Sequence, residues 1–346
     1  VPVTKIVLAH PRGFCAGVEK AINALAWMTR VFPPPIYCYH EIVHNRLVVE
    51  GFRRAGVIFV DDVAEVPPGS PLMLSAHGTA PEVLETARAG GAVVVDAVCP
   101  LVTKVHHEIK TRARKGYRII YVGHRGHEEA IGAVAEAPES VELVEELDDA
   151  RRLVPDDRPV ALLAQTTLAV PEWSAIADEV KARLGEAWMP ARSDLCYATT
   201  NRQAAVSAIA PQVDAMVVIG SANSSNTRAL VRVAEAAGVA RVVRINSAKE
   251  LPPDLEGVVG VTAGASAAEG IVQGVVEALA ATDGTETVTV TSEEEFFPAP
   301  PELREFISGL RAAVALLTGR ALGPEPLGRE SAWESLLAIT PDPMSA

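Results

Sequence analysis

Cys15, Cys99 and Cys196 each stand where one kind of sequence gives way to another. KIVLAHPRGF leads to Cys15, GAVVVDAV to Cys99 and RSDL to Cys196, and helix-like VEKAINALA, LVTKVHHEIK and YATTNRQAAVSAI come after them. A thiol at a helix N-terminus faces the positive end of the helix dipole, which is expected to lower its pKa and present the thiolate that ligates metal. Polar groups recur downstream of each cysteine. His44 lies 29 residues after Cys15, His127 28 after Cys99, and Ser224 28 after Cys196. One strand-like run further on come His77, Thr166 and Ser266, at 62, 67 and 70 residues from the same cysteines.

Three converging thiolates suit an iron–sulfur cluster with one iron unligated by protein, or a zinc with one further ligand. Zinc ligands usually come as close pairs such as CxxC, and this chain has no such pair, so a cluster is preferred. Cys38 alternates within PIYCYHEIV, mid-strand, and reads as a core residue. His44, His77 and His127 can donate from ring nitrogens, and NSSNT, Asn223 to Thr227, opens a helix with exposed N–H groups and hydroxyls. Alone, NSSNT reads as a helix cap; beside three histidines at matching offsets it reads as an anion site of the phosphate type. His10, His40, His106, His107 and His124 fall outside the pattern and read as surface or packing residues. In GHRGHEEAIG a carboxylate beside His127 is placed to act as a general acid; spacing alone does not choose between Glu128 and Glu129.

The elements that must position these groups can be read from the hydropathy pattern. KIVLA, PIYCYHEIV, PLMLSA, GAVVVDA, RIIYVG, PVALLAQ, AMVVIG, RVVRIN and GVVGVTAG read as strands, most succeeded by amphipathic stretches. That alternation predicts parallel α/β layers, in which ligands gather at the carboxyl ends of strands. The cysteine-centred pattern repeats every ~85 to 100 residues, longer than any solenoid unit, which predicts three similar α/β modules with mostly parallel sheets around a pseudo-threefold axis. The expected modules are 14–97 with Cys15, 98–193 with Cys99, and 1–13 plus 194–290 with Cys196; residues 291–346 form a C-terminal segment. From Ile307 that segment reads as an amphipathic helix presenting Leu310, Ala313, Val314 and Leu317, then a Pro- and Gly-punctuated tail.

The 346 residues are 49% hydrophobic, enough for two or three cores, and carry a net charge of −13, which argues against nucleic acid or an anionic membrane as partner. The longest stretch free of Asp, Glu, Lys and Arg, from Val66 to Pro81, is too short and too rich in Pro and Gly to span a bilayer. With no apparent targeting segment, a cytoplasmic location is expected, where four cysteines read as ligands or nucleophiles before disulfides.

Together PRGFCAGVEKAI, HEIVHNR, SAHG, DAVCPLVTKVH, GHRGHEEAIG, QTTL, DLCYATTNRQ, GSANSSNT and TAGASA resemble the 4-hydroxy-3-methylbut-2-enyl diphosphate reductase family over roughly residues 3 to 306. The resemblance implies a 4Fe-4S cluster on Cys15, Cys99 and Cys196, convertible to a 3Fe-4S form by oxidation, and two-electron, two-proton removal of the substrate hydroxyl. It implies that His44, His77, His127, Ser224, Ser225, Asn226 and Ser266 hold the diphosphate, with Thr167 and Thr199 lining the pocket. It implies that Glu129 and Thr166 relay protons, with His127 beside them. It also implies a ferredoxin or flavodoxin as electron donor; a monomer or homodimer is expected.

Two positions depart from the family pattern: Val98 stands where Thr is usual, and Ala268 where Pro is usual. Val98 replaces a hydroxyl near the cluster with a methyl, and Ala268 loosens a helix start. Val98 and the C-terminal tail leave a rival reading, a catalytically altered paralogue serving as a cluster- or diphosphate-binding sensor. A zinc-dependent hydrolase of a phosphorylated small molecule is a second rival.

Overall fold

Runs rich in Val, Ile, Leu and Ala become strands, and the amphipathic stretches between them become helices. The computed structural model describes residues 2–91, 93–320, 327 and 331–339. Along the chain come β1 (Val3–His10), α1 (Ala16–Val31), β2 (Ile36–Tyr39), α2 (Arg46–Arg54), β3 (Val57–Val60), β4 (Pro71–Leu74), α3 (Pro81–Ala89) and β5 (Val93–Asp96). Next are α4 (Pro100–Arg114), β6 (Arg118–Val122), α5 (Glu128–Ala135), β7 (Val141–Val144), α6 (Leu147–Arg151), β8 (Val160–Ala164), α7 (Val170–Leu184) and β9 (Ala187–Trp188). The remainder is α8 (Tyr197–Ile209), β10 (Ala215–Ile219), α9 (Ser225–Ala236), β11 (Arg241–Ile245), β12 (Gly257–Ala263), α10 (Glu269–Leu279), β13 (Thr285–Thr289), α11 (Pro301–Thr318) and α12 (Ala332–Ile339).

These strands make three sheets, ordered β3-β2-β4-β5, β7-β6-β8-β9 and β11-β10-β12-β1-β13. Every ladder among the described residues is parallel. The three orders share one plan. A first strand pairs on one side with its successor and on the other with the strand after that, and a fourth strand lies beyond. That fourth strand is β5, β9 or β1, the strand preceding Cys99, Cys196 or Cys15 respectively. Strands β6, β8 and β10 are buried at every residue, as covered parallel strands must be, and so carry no polar alternation.

The chain divides into two units. The first comprises Val1–Cys15 and Leu101–Glu294; the second comprises Ala16–Pro100 and Glu295–Ala346. The first unit contains the β6–β9 and five-stranded sheets, with cores built around Ile120, Leu162 and Val180, and around Val7, Met216 and Leu230. The second contains the β2–β5 sheet, whose core includes Leu72 and Leu74. Cys38 is fully buried in the middle of β2, as a core residue should be.

The C-terminal segment differs from expectation. Helix α11 is anchored in the second unit by buried Leu303 and Ile307, near its start, and by Phe306 stacking on Phe32 at 4.7 Å. The expected contact face is exposed, Leu317 at 85%. Part of the expected tail is α12, whose Ala332 and Leu336 are fully buried where it packs on α1 and α2. Residues 321–326, 328–330 and 340–346 of that expected tail lie outside the described residues. Among the described residues, no helix is long and apolar enough to cross a membrane.

Candidate active site

Measured from strand ends, the polar groups fall into register. His44, His127 and Ser224 each stand five residues past the end of a first strand, β2, β6 or β10. Past β4, β8 and β12, the third residue is His77, Thr167 or Ser266. Thr167, not Thr166, is thus the structural counterpart of His77 and Ser266. Counting from the cysteines gave the other threonine because the segment between cysteine and strand differs in length among the three sheets.

Each cysteine is latched to this same frame and directly precedes a helix. Its backbone N–H donates to the carbonyl two residues past the strand end: Cys99 to Ala76 at 3.0 Å, Cys196 to Thr166 at 3.0 Å, and Cys15 to Ala265 at 3.2 Å. The turn before Cys15 requires Gly13, whose φ of +71° suits glycine and whose added Cβ would lie 3.1 Å from the Ala267 carbonyl oxygen.

In the first unit, Cys196 caps α8: its Sγ accepts from the Thr199 N–H at 3.3 Å and lies 3.1 Å from the Thr199 hydroxyl. The expectation of a lowered thiol pKa fails for Cys196. Burial, with a smaller contribution from Cys15, pushes its thiol up to about 11 against the opposing pull of the Thr199 bonds and Arg202.

Glu129, in the first turn of α5, is 2% exposed. Its Oε1 accepts from the Thr166 N–H at 2.7 Å and its Oε2 from the Thr166 hydroxyl at 3.1 Å. Burial raises its pKa to about 7 against the opposing pull of those two bonds. The structure thereby separates the two adjacent carboxylates: Glu129 is buried against Thr166, while Glu128 is half-buried. His127 caps α5, accepting at Nδ1 from the Glu129 N–H at 3.2 Å. In a neutral ring the proton then sits on Nε2, which becomes the donor.

Ser224 caps α9, and the next two residues, Ser225 and Asn226, are buried at its start. Asn226 accepts from the Ala265 N–H at 2.9 Å, which fixes the loop carrying Ser266. Its amide also contacts the Thr199 hydroxyl at 3.4 Å.

Sequence reasoning missed Gln165. It is fully buried, donates to Thr167 at 2.9 Å and Ser225 at 3.2 Å, and accepts from the His124 N–H at 2.8 Å. The signal was the polar residue at the head of QTT, one place past an entirely apolar strand. His124, expected at the surface or in packing, has its Nδ1 3.4 Å from the Ser225 hydroxyl, and burial lowers its pKa. His106 fits the packing expectation, buried and 2.7 Å from Glu136.

In the second unit, the rings of His44 and His77 stack at 4.0 Å, 12° from parallel, and Glu41 lies 3.4 Å from His44 Nδ1. Asn45 caps α2, so the histidine before it sits at the mouth of a helix start. Cys99 is half-buried in the same unit.

The chain matches the family model described as LytB protein over residues 6–280. It is 44% identical over 306 residues to the 4-hydroxy-3-methylbut-2-enyl diphosphate reductase of Mycobacterium ulcerans, covering 87% of this chain and 92% of that protein. It is 46% identical to the enzyme of the same name from Nocardia farcinica, covering 87% and 91%. Among solved structures it is similar to the E-1-hydroxy-2-methyl-but-2-enyl-4-diphosphate reductase from Plasmodium falciparum, with a TM-score of 0.86, 31% identity and coverage of 89% of this chain and 99% of that one. With the family model spanning most of its length and relatives this similar matched nearly end to end, the chain belongs to the LytB family.

Proposed function

We propose that this chain reduces 4-hydroxy-3-methylbut-2-enyl diphosphate, the reaction for which its relatives are named. Two electrons and two protons enter, the C–O bond to the 4-hydroxyl breaks, water leaves, and isopentenyl or dimethylallyl diphosphate remains. The family implies an iron–sulfur cluster, and Cys15, Cys99 and Cys196 are its proposed ligands. The residues present fit such a group: the three donors are sulfur, each directly precedes a helix, and each is latched by the same backbone bond. When bound, the cluster supplies electrons singly and a Lewis-acidic iron for the leaving oxygen.

The observation that carries the proton chemistry is the Glu129–Thr166 pair. A carboxyl held near 7 by burial keeps much of its proton at neutral pH and can release it to a departing hydroxyl. The Thr166 hydroxyl, 3.1 Å from it, is placed to pass that proton on and to recover one. A sensor of diphosphate has no use for such a pair, which favours the enzyme over that rival.

For the diphosphate, the first unit offers the Nε2 donor of His127, the hydroxyls of Ser224, Ser225, Thr167 and Ser266, and the N–H groups opening α9. This is the chemistry of anion binding at a helix start. Thr199 and Asn226 join that helix start to Cys196, so the proposed anion and metal sites share a rigid frame. The same roles for His44 and His77 rest on their motif match alone. A small ferredoxin or flavodoxin is the proposed electron donor.

The test is anaerobic turnover of 4-hydroxy-3-methylbut-2-enyl diphosphate with reduced methyl viologen, alongside iron and sulfide determination and the visible spectrum of the same sample. Turnover with a brown, sulfide-containing chain supports the reading. A cluster without turnover returns the sensor, and a colourless zinc protein returns the hydrolase.

A further inference from the structure

Three cations stand five or six residues past a cysteine and repeat one kind of contact in the structure. Lys20 stands five residues after Cys15 on α1, Lys104 five after Cys99 on α4, and Arg202 six after Cys196 on α8. Each lies about one and a half helical turns below its own cysteine. Each reaches the loop that leads into a different cysteine.

Lys20 donates to the carbonyl of Val98, the residue before Cys99, at 2.7 Å. Lys104 donates to the carbonyls of Arg192 at 3.0 Å and Ser193 at 3.4 Å, and to the Asp194 carboxylate at 3.2 Å, all within four residues before Cys196. Arg202 donates to the carbonyl of Gly13 at 2.8 and 3.1 Å and to that of Phe14 at 3.2 Å, the two residues before Cys15. The helix after Cys15 thus holds the loop of Cys99, the helix after Cys99 holds that of Cys196, and the helix after Cys196 holds that of Cys15.

The cations are also sheltered. Arg202 is fully buried, with Glu293 opposite it at 2.9 Å and the Ala198 carbonyl accepting at 3.0 Å. Lys104 is 34% exposed against an almost fully buried Asp194, and Lys20 is half-buried. Folding does not bury Arg202, and partly bury two lysines, against main-chain carbonyls without a return, since each loses solvation that its bonds replace. Hydrogen bonds from charged donors are the strong ones, and all three cations direct them at one type of loop.

On the reading that Cys15, Cys99 and Cys196 ligate one cluster, we infer that Lys20, Lys104 and Arg202 are its positioning residues, a cyclic set in which each cysteine's helix fixes the approach of the next cysteine. The set fixes the loop that carries each proposed ligand, so it governs retention of iron. Nothing in the composition announces it, because each member is an ordinary cation on an ordinary helix until its distant partner is known.

The test uses the anaerobically purified holoprotein and tracks first-order loss of visible absorbance under a ferrous-iron chelator. Lys20→Met, Lys104→Met and Arg202→Met should each lose iron about 10- to 100-fold faster than the wild type, the usual effect of removing an outer-shell partner. Lys104→Arg, which keeps the charge and donors, should restore most of the retention. Lys110→Met is the control: on the same α4 helix, Lys110 pairs with Glu136 at the end of α5 and reaches no cysteine loop, so the variant should lose iron at the wild-type rate. If Arg202→Met does not fold, the partly exposed Lys104 carries the test. Wild-type retention in all the variants, or equal acceleration in Lys110→Met, overturns the inference while leaving the ligand assignment intact. A wild-type chain that takes up no iron removes the ligand assignment and the inference together.

Discussion

Asn226 repeats in the five-stranded sheet the bond that Glu129 makes in the β6–β9 sheet. Each stands seven residues past the end of β6 or β10, and each accepts from the N–H two residues past the end of β8 or β12: Glu129 from Thr166 at 2.7 Å, Asn226 from Ala265 at 2.9 Å. The amide fulfils the structural half of the role and has no acidic proton to give. Glu129 adds the acid.

Glu129→Gln therefore keeps the loop bond and loses the proton. Iron content and diphosphate binding should match the wild type, while kcat falls about 10²- to 10⁴-fold, the usual worth of a general acid. Single-turnover reduction on the iron-loaded variant makes the measurement, and a wild-type rate would disprove the assignment.

The same carboxyl makes stability depend on pH in a defined sense. Its folded pKa of about 7 lies above the ordinary 4.5, so the folded chain binds the proton more tightly than the unfolded one. The stabilisation is fully present below about 4.5 and lost as pH rises through about 7, a change of about 3 kcal/mol. Asp194, raised to about 6 mainly by burial, adds a second contribution of the same sign. Denaturant midpoints between pH 5 and 8 should fall for the wild type and fall less for Glu129→Gln; identical slopes would refute the shift.

Gln165→Leu removes two donated bonds and one accepted one from a fully buried side chain. Stability should drop by about 1–3 kcal/mol, the cost of leaving buried partners unmatched. Because Thr167 and Ser225 lose their common partner, KM should rise more than kcat falls. A variant with unchanged KM and lowered kcat would point instead to a role in the proton path.

Val98→Thr should leave the fold alone, since the bonds of Val98 are main-chain: its N–H to Asp96 at 2.9 Å and its carbonyl from Lys20 at 2.7 Å. The melting temperature should stay put while the midpoint potential of the iron–sulfur centre rises, as an added hydroxyl donor favours the reduced, more negative form. An unchanged potential would show that position 98 does not reach the centre.

Leu336→Ala should cost about 2–5 kcal/mol, because that side chain is fully buried where α12 packs. Leu317→Ala, on the exposed part of α11, should stay within about 0.5 kcal/mol. Chemical denaturation of both variants decides whether the C-terminal helix belongs to the core.

The strand-to-helix alternation and the recurrence of cysteines before helices were legible because both are local, set by hydrophobic periodicity and by the turn residues at strand ends. The strand-end register of His44, His127 and Ser224 was legible for the same reason. Thr166 was matched in place of Thr167 because an offset counted across a helix absorbs every insertion on the way. Glu128 and Glu129 are indistinguishable until Thr166 arrives from another strand, and Gln165, Lys104 and Arg202 show their purpose only through partners 41 to 189 residues away. The lowered thiol pKa failed at Cys196 because sequence shows the helix start and hides the burial that raises the thiol. Helix α12 was hidden by the Pro and Gly on either side of it.

Strand β1 lies inside its sheet, between β12 and β13, so the strand leading to Cys15 finds a strand to pair with only when Gly257 has been made. At about 5–20 residues per second, a ribosome takes roughly 12 to 50 seconds to get there. The β2–β5 and β6–β9 sheets draw on contiguous stretches and can close in the meantime. For that interval the thiol of Cys15 travels on an unpaired strand, open to oxidants and to stray metal. Assembly of the proposed metal centre would thereby be timed by translation, and a cell making this chain has reason to keep its nascent form in reducing company.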